Sequence, residues 1–292
     1  MKKILLPAII AAMFCSTVSA STPGTGFLTE RVSFPESVYP YKGGTLISNF
    51  GSMSPQPYEY NGYVLFRDKK GKVSILIPSS SKTLHKPTAM AIKEDHLFIC
   101  DDTVLKIYEM KNLDKRPRII NFPFDTPVVN DIVLDGNDLY ISITNHDQIL
   151  KLDVSNPKTV SEKDLTAWLN VPGPNGIDIH DGQMFIASIP HDYRTLTPAN
   201  VIYRVPNVRK PTAEIFYNVP AAYDGVVVSK DGKTLFISDW TTSSIHAIDM
   251  KSKTVQIFFS EPNCGFADIA VTKDRLIVPD FPHSRIIFFP IK

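Results

Sequence analysis

The sequence is poor in cysteine, in excess charge of either sign and in long apolar runs. It has three cysteines among 292 residues and a formal net charge of +1. A balanced charge without a basic stripe gives no electrostatic basis for binding nucleic acid or an anionic membrane. Cys100 and Cys264 are far apart in sequence, so their spacing leaves a disulfide and two free thiols both open.

No apolar run is long enough for a membrane span of about 20 residues. The one notable run, residues 4–14, follows two lysines and precedes a Val-Ser-Ala triplet that ends at Ala20. This order is typical of a secretory signal peptide. We therefore predict that residues 1–20 are removed and that residues 21–292 form a single domain that is exported, either to a periplasm or to the medium.

A short pattern recurs six times along that domain, at intervals of 42 to 52 residues. Each copy has an apolar triplet, a tight turn and a second apolar strand that ends in Ser, Asp or Pro, as in TLFISDW. A period in this range indicates a propeller or a solenoid. Two more strand candidates in each copy, bounded by turns such as Asp181-Gly182 and Asp231-Gly232, bring the count to four. The fold class is therefore all-β, a six-bladed β-propeller with four antiparallel strands per blade.

The two ends of the chain also predict how the ring closes. The last segment, RIIFFPI, is the third strand of the sixth blade, which leaves that blade one strand short. Residues 27–34, FLTERVSF, precede the first blade and are predicted to supply the missing outer strand. Such a closure protects sheet edges that would otherwise invite aggregation.

Six residues begin the inner strands and are here named the mouth positions, because the inner strand of each blade lines the central channel of a propeller. They are Glu36, Thr88, Asn130, Asn175, Asp224 and Ala267. Any one of them alone is an ordinary turn residue. Together, however, they place two carboxylates and two amides at the same point of the repeat, and a bare pair of carboxylates facing the axis would be repulsive.

Oxygen donors of this kind are the ligands that hard cations prefer. We predict one divalent cation held by four mouth positions, Glu36, Asn130, Asn175 and Asp224. Ca²⁺ is the first choice, with Mg²⁺, Mn²⁺ or Zn²⁺ as alternatives. The lack of Cys and His in this set argues against zinc and copper.

The chain resembles the senescence-marker/gluconolactonase superfamily of propellers, to which the paraoxonases are related. The resemblance rests on FPESVY at Glu36, VNDIVL at Asn130, PGPNGIDI at Asn175 and YDGVVVSKDGKTLFISDW from Tyr223. It implies a metal-dependent hydrolase of lactones or related esters, with Glu36, Asn175 and Asp224 as metal ligands and Asn130 at or near the metal.

Two positions depart from the pattern of that superfamily. Thr88 stands where paraoxonases have a histidine of their catalytic pair, and Val128 stands where sugar-lactone enzymes have an arginine that contacts the substrate. These departures put the family's substrates in doubt more than its reaction.

The residue that would accept a proton from an attacking water is sought around the mouth. The resemblance implies Asp224, and the loops after the second strands add Asp101, His146 and His191, each of which is also an ordinary loop or strand-end residue. The same loops carry four aromatic residues, Phe50, Tyr193, Trp240 and Phe281. They predict an apolar pocket for a small-molecule substrate, although they are also consistent with packing between blades.

Two other functions stay open, since fold alone does not decide function. One is a non-catalytic, calcium-stabilised propeller that binds a small ligand, a glycan or a peptide. The other is a metal-free lyase-like or synthase-like propeller that keeps Glu36 and dispenses with the other ligands, against which Asn175 and Asp224 weigh. The sequence leaves the substrate and the oligomeric state open.

Overall fold

The structure is a computed structural model that describes residues 24–53 and 60–291. The predicted signal peptide lies outside the described residues. Within them, 24 strands form six separate antiparallel sheets of four strands each. The prediction of a six-bladed β-propeller is confirmed.

The strands of each blade follow one another along the chain. Blade one contains β2 (Pro35–Tyr41), β3 (Gly44–Asn49), β4 (Tyr63–Arg67) and β5 (Val73–Ile77). Blade two contains β6 (Pro87–Lys93), β7 (His96–Asp101), β8 (Val104–Glu109) and β9 (Arg118–Asn121). Blade three contains β10 (Val129–Asp135), β11 (Asp138–Ile143), β12 (Gln148–Asp153) and β13 (Leu165–Asn170).

The second half of the ring repeats this order. Blade four contains β14 (Pro174–His180), β15 (Gln183–Ser188), β16 (Ile202–Val205) and β17 (Glu214–Tyr217). Blade five contains β18 (Tyr223–Val228), β19 (Thr234–Asp239), β20 (Ser244–Asp249) and β21 (Val255–Ser260). Blade six contains β22 (Ala270–Val271), β23 (Arg275–Asp280), β24 (Arg285–Pro290) and β1 (Gly26–Leu28).

Blade six takes its outer strand from the start of the described chain. Strand β1 pairs antiparallel with β24, with Phe27 opposite Ile287. It is shorter than the strand predicted over residues 27–34, because Arg31 and Phe34 have φ values of 60° and 48°. Such values lie outside the extended region that a strand requires.

Tight turns join the inner strand to the second strand of the blades. In blade four, Asp181 and Gly182 both have positive φ, 48° and 71°, which is the geometry of a two-residue hairpin turn. Gly232 also has a positive φ, 71°, but it lies in a longer turn in which the Ser229 N–H donates to the Thr234 carbonyl. The second Asp-Gly pair is therefore part of a wider hairpin.

The core lies between the blades. Inner strands of successive blades contact one another, and β2 also contacts β22, so the ring is closed around the channel. Because neighbouring blades cover both faces of each sheet, second strands such as β7 are buried at every position. The outer strands lie at the rim, where Ile75, Ile119, Ile215 and Ile257 are about half exposed.

Within residues 24–53 and 60–291, three single-turn 3-10 helices connect strands, over Ser79–Ser81, Thr144–His146 and Glu162–Asp164. No helix in the described part of the chain is long and apolar enough to cross a membrane. Cys100 and Cys264 are both buried free thiols.

Candidate metal centre

Backbone irregularities bring the mouth positions out of their sheets. In five inner strands the pairing register shifts at the start of the strand, between residues 35 and 38, 87 and 89, 129 and 132, 174 and 177, and 223 and 226. A bulge leaves residues unpaired and re-aims their side chains. Every such shift spans a mouth position, so these five mouth positions share the same local backbone irregularity.

Buried serines on the second strands hold three of these bulges in place. The Ser48 hydroxyl accepts the N–H of Ser37 at 2.9 Å, and the Ser238 hydroxyl accepts the N–H of Gly225 at 2.7 Å. In blade three, the Ser142 hydroxyl likewise accepts the backbone N–H of Asp131 at 2.9 Å. Each bond satisfies a buried backbone donor that the bulge has removed from the ladder.

Three of the four predicted ligands lie at the floor of one cavity. Glu36, Asn130 and Asp224 are 5–9% exposed and line a cavity of about 790 Å³ together with Thr88. Asn175 is fully buried. Its strand passes very close to β18, because a Cβ added to Gly176 would lie 2.4 Å from the carbonyl oxygen of Asp224.

Two buried oxygens in this group have no partner among the described residues. They are Oδ1 of Asn175 and Oδ1 of Asp224, and Nδ2 of Asn175 is likewise unsatisfied. A buried polar atom without a hydrogen bond costs about 1–3 kcal/mol. The two oxygens are hard donors of the kind that Ca²⁺ takes, so the side chains present fit a divalent cation.

The electrostatics of the floor also favour a cation. Burial, followed by the charges of Asp224 and Asp268, raises the pKa of Glu36 well above its usual value. Burial and the charge of Asp268 raise the pKa of Asp224 to about 8. The carboxylates therefore disfavour one another's ionised forms, and a nearby positive charge would reverse this.

Without a divalent cation, we expect the protein to lose stability as the pH rises from about 4 to about 8. Across this window the unfolded chain has released the Asp224 proton, whose usual pKa is 3.8, while the folded protein still holds it. A state that binds more protons becomes less stable, relative to a state that binds fewer, as the pH rises. Melting temperatures in chelator, taken between about pH 5 and 8, should therefore fall, and a constant or rising series would contradict the expectation.

Three further acidic residues line the channel at another level, beside a smaller cavity of about 170 Å³. Asp131 accepts the N–H of Ile177 at 2.7 Å, and Asp178 accepts the N–H of Val228 at 2.8 Å. Asp268 accepts the hydroxyl of Ser37 at 2.7 Å. Each carboxylate thus ties its blade to the following one. They were not predicted, although an Asp follows the mouth position in blades three and six.

Aromatic and aliphatic side chains form most of the cavity wall. Phe281 packs against Phe50 and Trp240, with ring centroids 5.2 Å and 6.2 Å apart. Trp240 lies close to Asp224 in the same wall, and its side chain acts to lower the pKa of that carboxyl. Tyr193 lines the cavity too, so all four predicted aromatic residues face the same space. Two basic residues on this wall, Lys86 and Arg194, were not predicted.

The other predicted proton acceptors lie elsewhere. Asp101 is buried, accepts the N–H of His85 with both oxygens at 3.0 Å and is ion-paired with Lys106. The next residue, Asp102, is the one that lines the cavity, and its Oδ2 lies 3.1 Å from His85 Nδ1.

The two predicted histidines have their own partners. His146 stacks on Phe124 with ring centroids 4.4 Å apart, and its Nε2 lies 3.2 Å from the Asp125 carbonyl oxygen. His191 Nε2 lies 2.7 Å from Asp147 Oδ1, beside a separate cavity of about 460 Å³. Among the predicted acceptors, Asp224 is therefore the one that the structure places in the wall of the large cavity.

No protein-family profile matches the chain, and no curated protein matches its sequence. Solved structures do resemble its fold. A gluconolactonase from Xanthomonas campestris matches with a TM-score of 0.67 at 13% identity, over 92% of this chain and 90% of that one. Virginiamycin B lyase from Staphylococcus aureus matches with a TM-score of 0.62 at 14% identity, over 92% of this chain and 99% of that one.

A protein of unknown function from Bacteroides thetaiotaomicron also matches, with a TM-score of 0.62 at 13% identity, over 89% of this chain and 70% of that one. At such identities these likenesses establish the propeller fold alone. They include a lactone hydrolase and a lyase, and therefore leave the chemistry to the site itself.

Proposed function

We propose that this chain is an exported, metal-dependent hydrolase of lactones or related esters. One divalent cation, Ca²⁺ in the first place, would be held by four mouth positions, Glu36, Asn130, Asn175 and Asp224. The observation that carries the proposal is the pair of buried, unpartnered oxygens on Asn175 and Asp224, together with the apolar cavity that Asp224 lines. The gluconolactonase among the structural neighbours supports the reaction class.

A bound cation supplies the positive charge that polarises an ester carbonyl and stabilises the oxyanion formed on attack. The protein's own side chains do the rest. The apolar wall around Phe281 would exclude water from an apolar ring or acyl group of the substrate. Asp224 lines the cavity, so its carboxylate is our choice for the proton acceptor.

A volume of about 790 Å³ lies within the range of small-molecule sites. Lys86 and Arg194 add positive charge to an otherwise apolar wall. These features suit a lactone or ester whose ring or chain is apolar and whose far end carries an acidic or strongly polar group. They suit a non-enzymatic binder of the same molecules as well, so turnover has to be measured.

We expect chelation to lower the turnover of at least one substrate tenfold or more in a panel of aliphatic lactones, sugar lactones and aryl esters. Added Ca²⁺ should restore it. The expectation follows because the carbonyl would lose its electrophilic partner. Thr88→Ala is the matched control, since Thr88 occupies a mouth position, is uncharged and donates only to the Val129 carbonyl.

Two results would overturn parts of the proposal. Turnover that is indifferent to chelator would exclude metal dependence. If chelation lowers the melting temperature while no member of the panel is hydrolysed, the protein is a calcium-stabilised binding module instead.

A further inference from the structure

A compact cluster of polar side chains lies in blade six, apart from the mouth positions. Cys264 is in the loop before β22, Asp280 ends β23, and His283 lies in the turn between β23 and β24. Asp280 is fully buried, Cys264 is 4% exposed, and the His283 side chain is 42% exposed. The cluster therefore extends from the core to the surface.

The three ligand-type atoms of this cluster lie close to the spacing that a metal ion would require. Cys264 Sγ is 3.3 Å from Asp280 Oδ2 and 3.7 Å from His283 Nδ1, and that nitrogen is 2.9 Å from Asp280 Oδ2. Tetrahedral zinc, with bonds of about 2.0 to 2.3 Å, separates its ligand atoms by about 3.3 to 3.7 Å. Shifts of a few tenths of an ångström would therefore complete three corners of a tetrahedron.

One part of this cluster, the pair formed by Asp280 and a basic residue, also occurs in other blades. Asp101 and Asp239 end their second strands as Asp280 does, and each binds a basic residue of the next strand, Lys106 or His246. Asp280 has the same kind of partner in Arg285. The acid–base pair is thus a feature of the blade architecture, whereas the thiol and the imidazole are additions in blade six.

A nucleophilic role for the thiol fits the geometry poorly. In a Cys-His-Asp arrangement the two ring nitrogens serve different partners. Here one atom, His283 Nδ1, faces both the thiol and the carboxylate.

The charges around the cluster match a divalent cation. Arg285 donates to Asp280 Oδ2 and to Glu261 Oε2, at 2.7 Å in each case. With Cys264 as a thiolate, three negative groups would surround one guanidinium, which leaves a net charge of −2. Arg285 would then act as an outer partner that orients the Asp280 carboxylate.

We propose that Cys264, Asp280 and His283 form a second metal site, which takes Zn²⁺ or a similar borderline-soft transition-metal cation rather than Ca²⁺. Thiolate and imidazole ligands select such metals. Water would be the fourth ligand, on the side where His283 is exposed. Phe281 lies between Asp280 and His283 in the sequence and lines the large cavity. A metal bound at this site would therefore also hold that part of the cavity wall in place.

Cobalt(II) is the probe, since thiolate ligation gives it a charge-transfer band in the near ultraviolet. The full mature chain should develop this band on titration with Co²⁺, and Zn²⁺ should remove it while excess Ca²⁺ should not. Cys264→Ser should abolish the band. Cys100→Ser, which alters the other buried cysteine, and Asp224→Asn, which alters the mouth, should both retain it.

His283→Ala covers the case in which Cys264→Ser fails to fold, because the exposed ring of His283 contributes little to the core. This variant should bind Zn²⁺ at least tenfold more weakly than the parent, and His191→Ala should bind it as the parent does. Absence of the band in the parent, its persistence in Cys264→Ser, or unchanged zinc affinity in His283→Ala would each overturn the proposal. None of these outcomes bears on the proposed lactonase site.

Discussion

Asp224→Asn is expected to abolish the stabilisation by Ca²⁺ that the proposed metal centre predicts for the parent, and to remove most of the proposed hydrolase activity even in excess metal. The substitution keeps the shape of the side chain and one oxygen donor, but it removes one of two negative charges at the mouth positions. Loss of an outer partner alone typically costs 10- to 100-fold in metal affinity. A direct ligand should therefore cost at least about 100-fold.

The same substitution should have the opposite effect on the metal-free protein. Burial and the charge of Asp268 raise the pKa of Asp224 to about 8, so its ionised form is unfavourable in the fold. Asparagine removes that penalty. In chelator near pH 8, Asp224→Asn should therefore melt at a higher temperature than the parent, whereas with Ca²⁺ it should melt at a lower one.

Melting curves of both proteins with and without Ca²⁺ measure this crossover. For the parent, cation at 100 times its dissociation constant should add about 2.7 kcal/mol to the stability. Thr88→Ala should retain that gain. An Asn variant that keeps the full calcium shift would show that Asp224 is not a ligand.

Gly176→Ala is expected to destabilise the protein by about 3 kcal/mol or more, at the upper end of overpacking effects. The added Cβ would lie 2.4 Å from the Asp224 carbonyl oxygen and 2.8 Å from the Gly225 Cα. Both are backbone atoms of the next blade, so no side-chain rotation relieves the clash. Either β14 and β18 move apart, or the ring does not close.

Chemical denaturation of the Ala variant checks this expectation. Gly26→Ala is the matched control, since its nearest contact would be the Phe288 Cβ at 3.9 Å. The control should change the stability by less than about 1 kcal/mol. If Gly176→Ala unfolds at the same denaturant concentration as the parent, the close approach of blades four and five at the mouth is wrong.

The architecture could be predicted from the sequence because the sequence contains a repeated pattern. Six copies of one pattern fix the number of blades, and hairpin residues such as Asp181 and Gly182 mark where strands reverse. Equivalent positions in a repeat take equivalent places in the ring. This is why residues as distant as Glu36 and Asp224 could be placed together without any structure.

Features that depend on contacts between blades could not be predicted. The carboxylates of Asp131, Asp178 and Asp268 bind groups of a following blade, and no local pattern specifies such partners. The surroundings of individual loop side chains could not be predicted either. Asp101 and Asp102 are adjacent in sequence, yet Asp101 is ion-paired with Lys106 and Asp102 lines the cavity.

The most direct measurement is a crystal structure of the protein grown with Ca²⁺. We predict a single strong density peak at the channel mouth, about 2.3 to 2.6 Å from oxygens of the predicted ligands. Those ligands are Glu36, Asn130, Asn175 and Asp224. A mouth without such a peak, with the Asn175 and Asp224 side chains turned away from a common centre and hydrogen-bonded to protein, would contradict the metal centre and the proposed chemistry with it.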